Sequence, residues 1–117
     1  MSSPPTEYLL HMAAEASYLL EQSAAVERDA FLADETLKRA FVRSIEILGE
    51  AAKHVPTEFR QQHPQIEWRA MAGMRDRLIH RYFGVDYELV WDVAVNKIPR
   101  LHADLKELLR SVHNNER

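Results

Sequence analysis

The stretch Gly73-Met74-Arg75-Asp76-Arg77-Leu78-Ile79-His80-Arg81-Tyr82-Phe83-Gly84 gathers arginine, histidine, tyrosine and an acid within a few helical turns. These side-chain types suit work on a phosphate. Cleaving RNA without a metal needs a group to take the 2′-hydroxyl proton, a group to protonate the leaving oxygen, and a cation on the charge that develops. Histidine, with an unperturbed pKa of about 6.5, can do the first two. An always-charged, forked arginine suits the third. The spacing adds a constraint, because five residues at 3.6 per turn leave Arg75 and His80 about 140° apart on a straight helix. Asp76 and His80, four apart, share a face, so Asp76 could hold one ring nitrogen and set the tautomer of the other. Arg75 and Tyr82, seven apart, also line up. Arg75 and His80 can reach one phosphate only if the helix loosens, if the long Arg75 stem wraps round, or if a two-fold partner brings its own copy alongside. The last route predicts a homodimer with the site at its seam.

The elements that must position this segment are helical. Three glycines, at 49, 73 and 84, and five prolines, at 4, 5, 56, 64 and 99, punctuate the chain, and no stretch alternates apolar and polar residues as a strand would. Leu9, Met12, Ala13, Ala16, Leu19, Leu20 and Val26 form one stripe over a first helix from about Thr6 to Arg28, with Thr6 as its expected cap. A short link over Asp29 to Asp34 follows, and Asp34 can cap a second helix carrying Leu37, Phe41, Ser44, Ile45, Leu48, Ala52 and Val55 until Pro56 stops it. PTEFRQQHP reads as a one-turn connector. A third helix starts near Glu67, carries Trp68, Met71, Leu78 and Ile79, and ends by Gly84. Asp86 can cap a fourth, striped by Leu89, Val90, Val93, Ile98, Leu101, Leu105, Leu108 and Val112, which Pro99 should kink or break. The expectation is an all-α antiparallel bundle of four main helices plus a short connector helix, one domain over residues 1–117, with flexible ends at 1–5 and 113–117.

Composition bounds the partners. The chain has 117 residues, 46% of them hydrophobic and 28% charged, which fits one soluble globular domain. It has no cysteine, which excludes disulfides, thiolate metal sites and a cysteine nucleophile. No apolar run is long enough to span a membrane, and MSSPPTEYLL lacks the order of a secretory signal, so a cytoplasmic location is expected. The net charge of −3 argues against holding nucleic acid by bulk electrostatics, but the charge is unevenly spread. Thr6 to Glu35 carries seven acids against Arg28 alone, whereas Arg60 to Arg81 carries five arginines against Glu67 and Asp76. A phosphate would be met in the second stretch.

Other residues have plainer readings. Arg43, Glu46 and Glu50 recur at three- and four-residue steps, which fits a solvated ladder somewhat better than a face turned to the site. Gly49 in mid-helix costs about 1 kcal/mol against Ala, which suggests close helix approach. Met71 and Met74 read as core, and the acidic first helix as solvated. Trp68, Phe83, Tyr87 and Trp91 are candidates for burial against a second subunit. Histidines at 11, 54, 63, 80, 102 and 113 show no metal-binding spacing, so no metal or other cofactor is expected. Arg75 and His80 could also be a helix-end pair among surface ion pairs, with Arg77 or Arg81 on Asp76, and Tyr82 could simply pack beside Phe83.

The string GMRDRLIHRYFGVDYELVW, preceded by GEAAKHVP and followed by NKIPRL, resembles the HepT-like toxins of the HEPN superfamily over nearly the whole chain. The most specific part is Arg75, four residues, His80, one residue, Tyr82. The resemblance implies an all-helical homodimer whose Arg-and-His motif is a metal-independent endoribonuclease site for an RNA such as tRNA or mRNA. It also implies a minimal nucleotidyltransferase as cognate antitoxin, in a toxin–antitoxin pair. Arg75 would stabilise the phosphate and His80 would act as acid or base. Tyr82 would accept AMP from the antitoxin, placing bulk and negative charge beside Arg75 and His80. Many relatives have Asn immediately after the Arg, where this chain has Asp76, a carboxylate that could orient His80 or repel RNA. Some relatives with degenerate motifs are binding modules instead, so a non-catalytic partner of a nucleotidyltransferase is the alternative.

Overall fold

The computed structural model describes residues 5–79 and 84–115. Its elements are α1 (Thr6–Ala25), α2 (Arg28–Ala33), α3 (Glu35–His54), α4 (Thr57–Gln62), α5 (Trp68–Ile79), α6 (Tyr87–Asp92), a π-helical turn (Val93–Lys97) and α7 (Ile98–Asn115). The protein is an all-α bundle, and no strand occurs among the described residues.

Most boundaries follow local chemistry. Asp34 accepts the Leu37 amide at 3.0 Å and opens α3, and Asp86 accepts the Leu89 amide at 3.2 Å and opens α6. Each side chain satisfies a donor that the first helical turn cannot. Gly84 has a φ of +148°, a conformation that favours glycine. Two expectations need correction, and a third is met in part. Thr6 does not cap α1; Pro5 holds the cap position without a side-chain bond, and Thr6 Oγ1 is buried without a partner. The link after the first helix is itself helical, because Phe31 is driven wholly into the core and α2 is the turn that delivers it. Pro99, expected to kink or break the fourth helix, does not break it but leaves its α-helical pattern interrupted. It has no amide to give the carbonyl four residues back, and the helix widens before it, with the Ile98 amide reaching Val93 O. The widened turn keeps Val93, Ala94 and Ile98 buried.

α1 and α3 run antiparallel, since Tyr8 meets His54, Glu15 meets Ser44, and Tyr18 meets Phe41. α1 also packs on α7, and α3 on α5, so α1 and α3 carry the middle of the bundle. Leu9, Met12, Leu19, Phe41, Ile45, Leu48, Val90, Ile98 and Leu105 fill the core between them. Phe31 closes one corner, 4.7 Å from Phe41 and 5.1 Å from Trp91 between ring centres. Trp68 is buried and donates its indole N–H to His63 O at 3.0 Å. Trp68 therefore finds its packing inside its own chain, whereas Trp91 packs on Phe31 and stays partly exposed. Met71 and Met74 are core, as their spacing suggests.

Gly49 sets how closely α5 approaches α3. A Cβ at Gly49 would lie 2.4 Å from Arg75 Cβ and 2.6 Å from Met71 O, closer than real contacts allow. The mid-helix glycine thus admits the backbone carrying Arg75.

Candidate functional site

Arg75 lies on α5 where that helix crosses Gly49, with its side chain about one quarter exposed. Two carboxylates hold its guanidinium. Nη1 donates to Asp76 Oδ1 at 3.0 Å, and Nη2 sits 3.0 Å from Glu50 Oε2. The second contact is ionic without hydrogen-bond alignment, since Glu50 Oε2 is buried and has no aligned donor. Lys53 Nζ reaches the same Asp76 oxygen at 3.3 Å, so one turn of α3 supplies a carboxylate for Arg75 and a cation for Asp76. The Arg75 hydrogen bond first, and the Lys53 bond second, hold the Asp76 carboxyl below its ordinary range.

The network continues along α3. Glu50 Oε1 lies 3.2 Å from His54 Nε2, and the His54 ring stacks on Tyr8 of α1, with centroids 5.4 Å apart and planes within 15°. Tyr8, His11, Arg43, Glu46, Glu50, His54 and Arg75 line a groove of about 420 Å³ between α1, α3 and α5. Arg43 and Glu46, one turn apart on the α3 wall, lie 4.0 Å from each other.

The structure brings Arg75 and Asp76 together by direct contact. His80 and Tyr82 lie outside the described residues, as do Arg81 and Phe83. The ladder reading holds for Arg43 and Glu46, an i,i+3 pair with the Arg43 side chain mostly exposed, and fails for Glu50, which touches Arg75. The reason is the close approach at Gly49, which lays α5 against that side of α3. Asp76 is bonded to Arg75 and Lys53, and Arg77 is exposed. Sequence reasoning missed Lys53, His54 and Tyr8. The string GEAAKH carried a signal for the first two, since it places Gly49, Lys53 and Glu50–His54 at helical spacing; Tyr8 had none, because α1 and α3 meet only in the fold. Among the described residues, no three His, Asp or Glu side chains gather as a metal site, and no helix is long and apolar enough to cross a membrane.

An all-α HEPN-like bundle with an arginine clamped at the crossing of two helices defines the class. Residues 8–108 match the family model described as HepT-like, Ribonuclease HepT-like, and the chain belongs to this family. It is 45% identical over 106 residues to a protein of Caldanaerobacter subterraneus subsp. tengcongensis named "Putative RNase", covering 91% of this chain and 95% of that one. It is 43% identical over 96 residues to the "Probable ribonuclease HepT" of Thermococcus cleftensis, covering 81% and 87%. A "Putative RNase" of Methanocaldococcus jannaschii is 40% identical over 88 residues, covering 75% and 73%. No solved structure matches the chain.

Proposed function

We propose that this protein is a metal-independent endoribonuclease, the toxin of a toxin–antitoxin pair, acting as a cytoplasmic homodimer. The observation that carries the reading is membership of the HepT-like family across residues 8–108, which include Arg75, His80 and Tyr82 at the family's spacing. The ribonuclease names of the relatives support it. In the proposed reaction the 2′-hydroxyl oxygen attacks the adjacent phosphorus and its proton passes to one His80. The bond from phosphorus to the 5′ oxygen breaks, and the leaving oxygen takes a proton from the His80 of the second copy. The products are a 2′,3′-cyclic phosphate and a 5′-hydroxyl. Arg75 carries the charge on the phosphorane oxygens, and a fork held by Glu50 and Asp76 loses little freedom in doing so. Asp76 supports the site by holding that fork. A cognate nucleotidyltransferase would switch the enzyme off by transferring AMP from ATP to Tyr82.

The test is cleavage of total RNA and of purified tRNA in EDTA by wild type, Arg75→Ala and His80→Ala. Wild type is expected to cut and leave cyclic-phosphate ends, with each variant folded and slowed on the order of 100-fold or more. No cleavage by folded dimeric protein overturns the nuclease reading, and 5′-phosphate ends overturn its chemistry. One observation favours the second reading, a non-catalytic partner of a nucleotidyltransferase: Glu50 and Asp76 already neutralise Arg75, so an RNA phosphate must compete with them. That reading expects affinity for the transferase without cleavage.

A further inference from the structure

The proposed mechanism uses Arg75 and leaves the Tyr8 end of the groove without a role. Tyr8 is an aromatic residue of α1 that stays 38% exposed, although its neighbour Leu9 is wholly buried. Its ring lies parallel to His54, which fixes its orientation from the α3 side. We propose that Tyr8, backed by His54, is a nucleobase subsite that stacks an unpaired base next to the phosphate held at Arg75. The proposal rests on the reading of RNA as the substrate.

Three observations carry it. First, direct contacts run without a gap from the Tyr8 ring through His54 and Glu50 to Arg75, so the aromatic surface and the phosphate-binding cation line the same groove about one helical turn apart. Second, the volume of about 420 Å³ falls within the range of roughly 300–1,000 Å³ that small-molecule sites occupy. Third, the charge between ring and cation discriminates. Glu50, which touches both His54 and Arg75, disfavours a phosphate between them, but as an acceptor it tolerates the amino and imino edges of a base. The arrangement therefore places the phosphate at Arg75 and the base toward Tyr8. A base in a duplex has both faces covered, so the subsite selects single-stranded segments, loops or splayed ends.

The test uses the full-length protein and a fluorescein-labelled, single-stranded 2′-O-methyl RNA oligomer, which offers no 2′-hydroxyl for attack, beside the same oligomer with abasic sites. Fluorescence anisotropy should show Tyr8→Ala and Tyr8→Leu binding the intact oligomer about 10- to 100-fold more weakly than wild type, as for loss of a stacked base. Tyr8→Phe should bind like wild type. The abasic oligomer should bind weakly to wild type and no worse to Tyr8→Ala. Circular dichroism melting identifies any variant that fails to fold; Tyr8→Leu keeps apolar cover over His54 and serves if Tyr8→Ala does not fold. Wild-type affinity in a folded Tyr8→Ala or Tyr8→Leu protein, an equal loss on the abasic oligomer, or no binding by wild type overturns the proposal. Cleavage of ordinary RNA, measured in parallel, separates the two readings. Tyr8-dependent binding without cleavage removes the nuclease and keeps the subsite, and cleavage with Tyr8-independent binding does the reverse.

Discussion

Two regions of the bundle are built on opposite principles. At the corner where α2, α3 and α6 meet, Phe31 and Phe41 are wholly buried, and Phe31 packs at tilted angles on both Phe41 and Trp91. At the seam of α3 and α5, Glu50, Lys53, Arg75 and Asp76 form alternating ion contacts, and all four side chains are partly exposed. Burying aromatic area stabilises the fold strongly and without a demand on direction. Exposed ion pairs contribute little net stability because water and salt screen them, but they fix where a guanidinium points. The corner holds the protein together, and the seam orients Arg75.

Substitutions can break that contrast. Phe41→Ala should have the largest effect, destabilising by about 3–5 kcal/mol through lost burial and a residual cavity. Thermal unfolding should show Tm falling by more than about 10 °C. Retention of the wild-type Tm would mean that the corner is not the anchor of the fold.

Gly49→Ala tests the seam by geometry. Its Cβ would meet Arg75 Cβ and Met71 O, one anchored to the backbone and the other part of it, so α5 must move. Overpacking of this kind costs about 1–3 kcal/mol, against about 1 kcal/mol gained in helix propensity, for a small net destabilisation. The displacement of Arg75 should matter more than the stability. RNA cleavage is expected to fall well beyond what the Tm shift explains, and cleavage that simply follows stability would show that the position of Arg75 is not critical.

The smallest effect is electrostatic. The Asp76 carboxyl is held below its ordinary value, so its stabilising contribution is present above the unfolded pKa of about 3.9 and is lost as pH falls through the lower folded value. NMR titration should find the Asp76 midpoint depressed, raised most by Arg75→Ala and less by Lys53→Met, the order of the two causes. A larger response to Lys53→Met would reverse the roles drawn for α3 and α5. The midpoints should move toward the unperturbed value in high salt.

Much of the fold was legible because helix signals are local. Asp34, Asp86 and Pro56 set boundaries through chemistry within a few residues of themselves, and the apolar stripes named most of the core. The misses came where a local preference met a tertiary demand. Residues 29–33 read as a link, but delivering Phe31 to the core makes them helical. Pro99 reads as a kink or a break, and the burial of Ala94 and Ile98 decides for continuity through a widened turn. At the candidate site, the motif around Arg75 was visible as a cluster of types at fixed spacing. Of its partners, Glu50 had a face turned to the site only as the less favoured reading and Lys53 was not singled out, because i to i+4 spacing on α3 cannot say which helix will lie against it.

The sequence by itself determined the helical class, most helix boundaries, the clustering of Arg75, His80 and Tyr82, and through Gly49 that two helices would come close. Those are consequences of side-chain type and of periods of a few residues. Only the tertiary structure decided that the close neighbour is α5, that Arg75 is shared between Glu50 and Asp76, and that Tyr8 and His54, 46 positions apart in the sequence, stack on one another. Such pairings depend on how buried area is best filled across the whole bundle, and no local period encodes them.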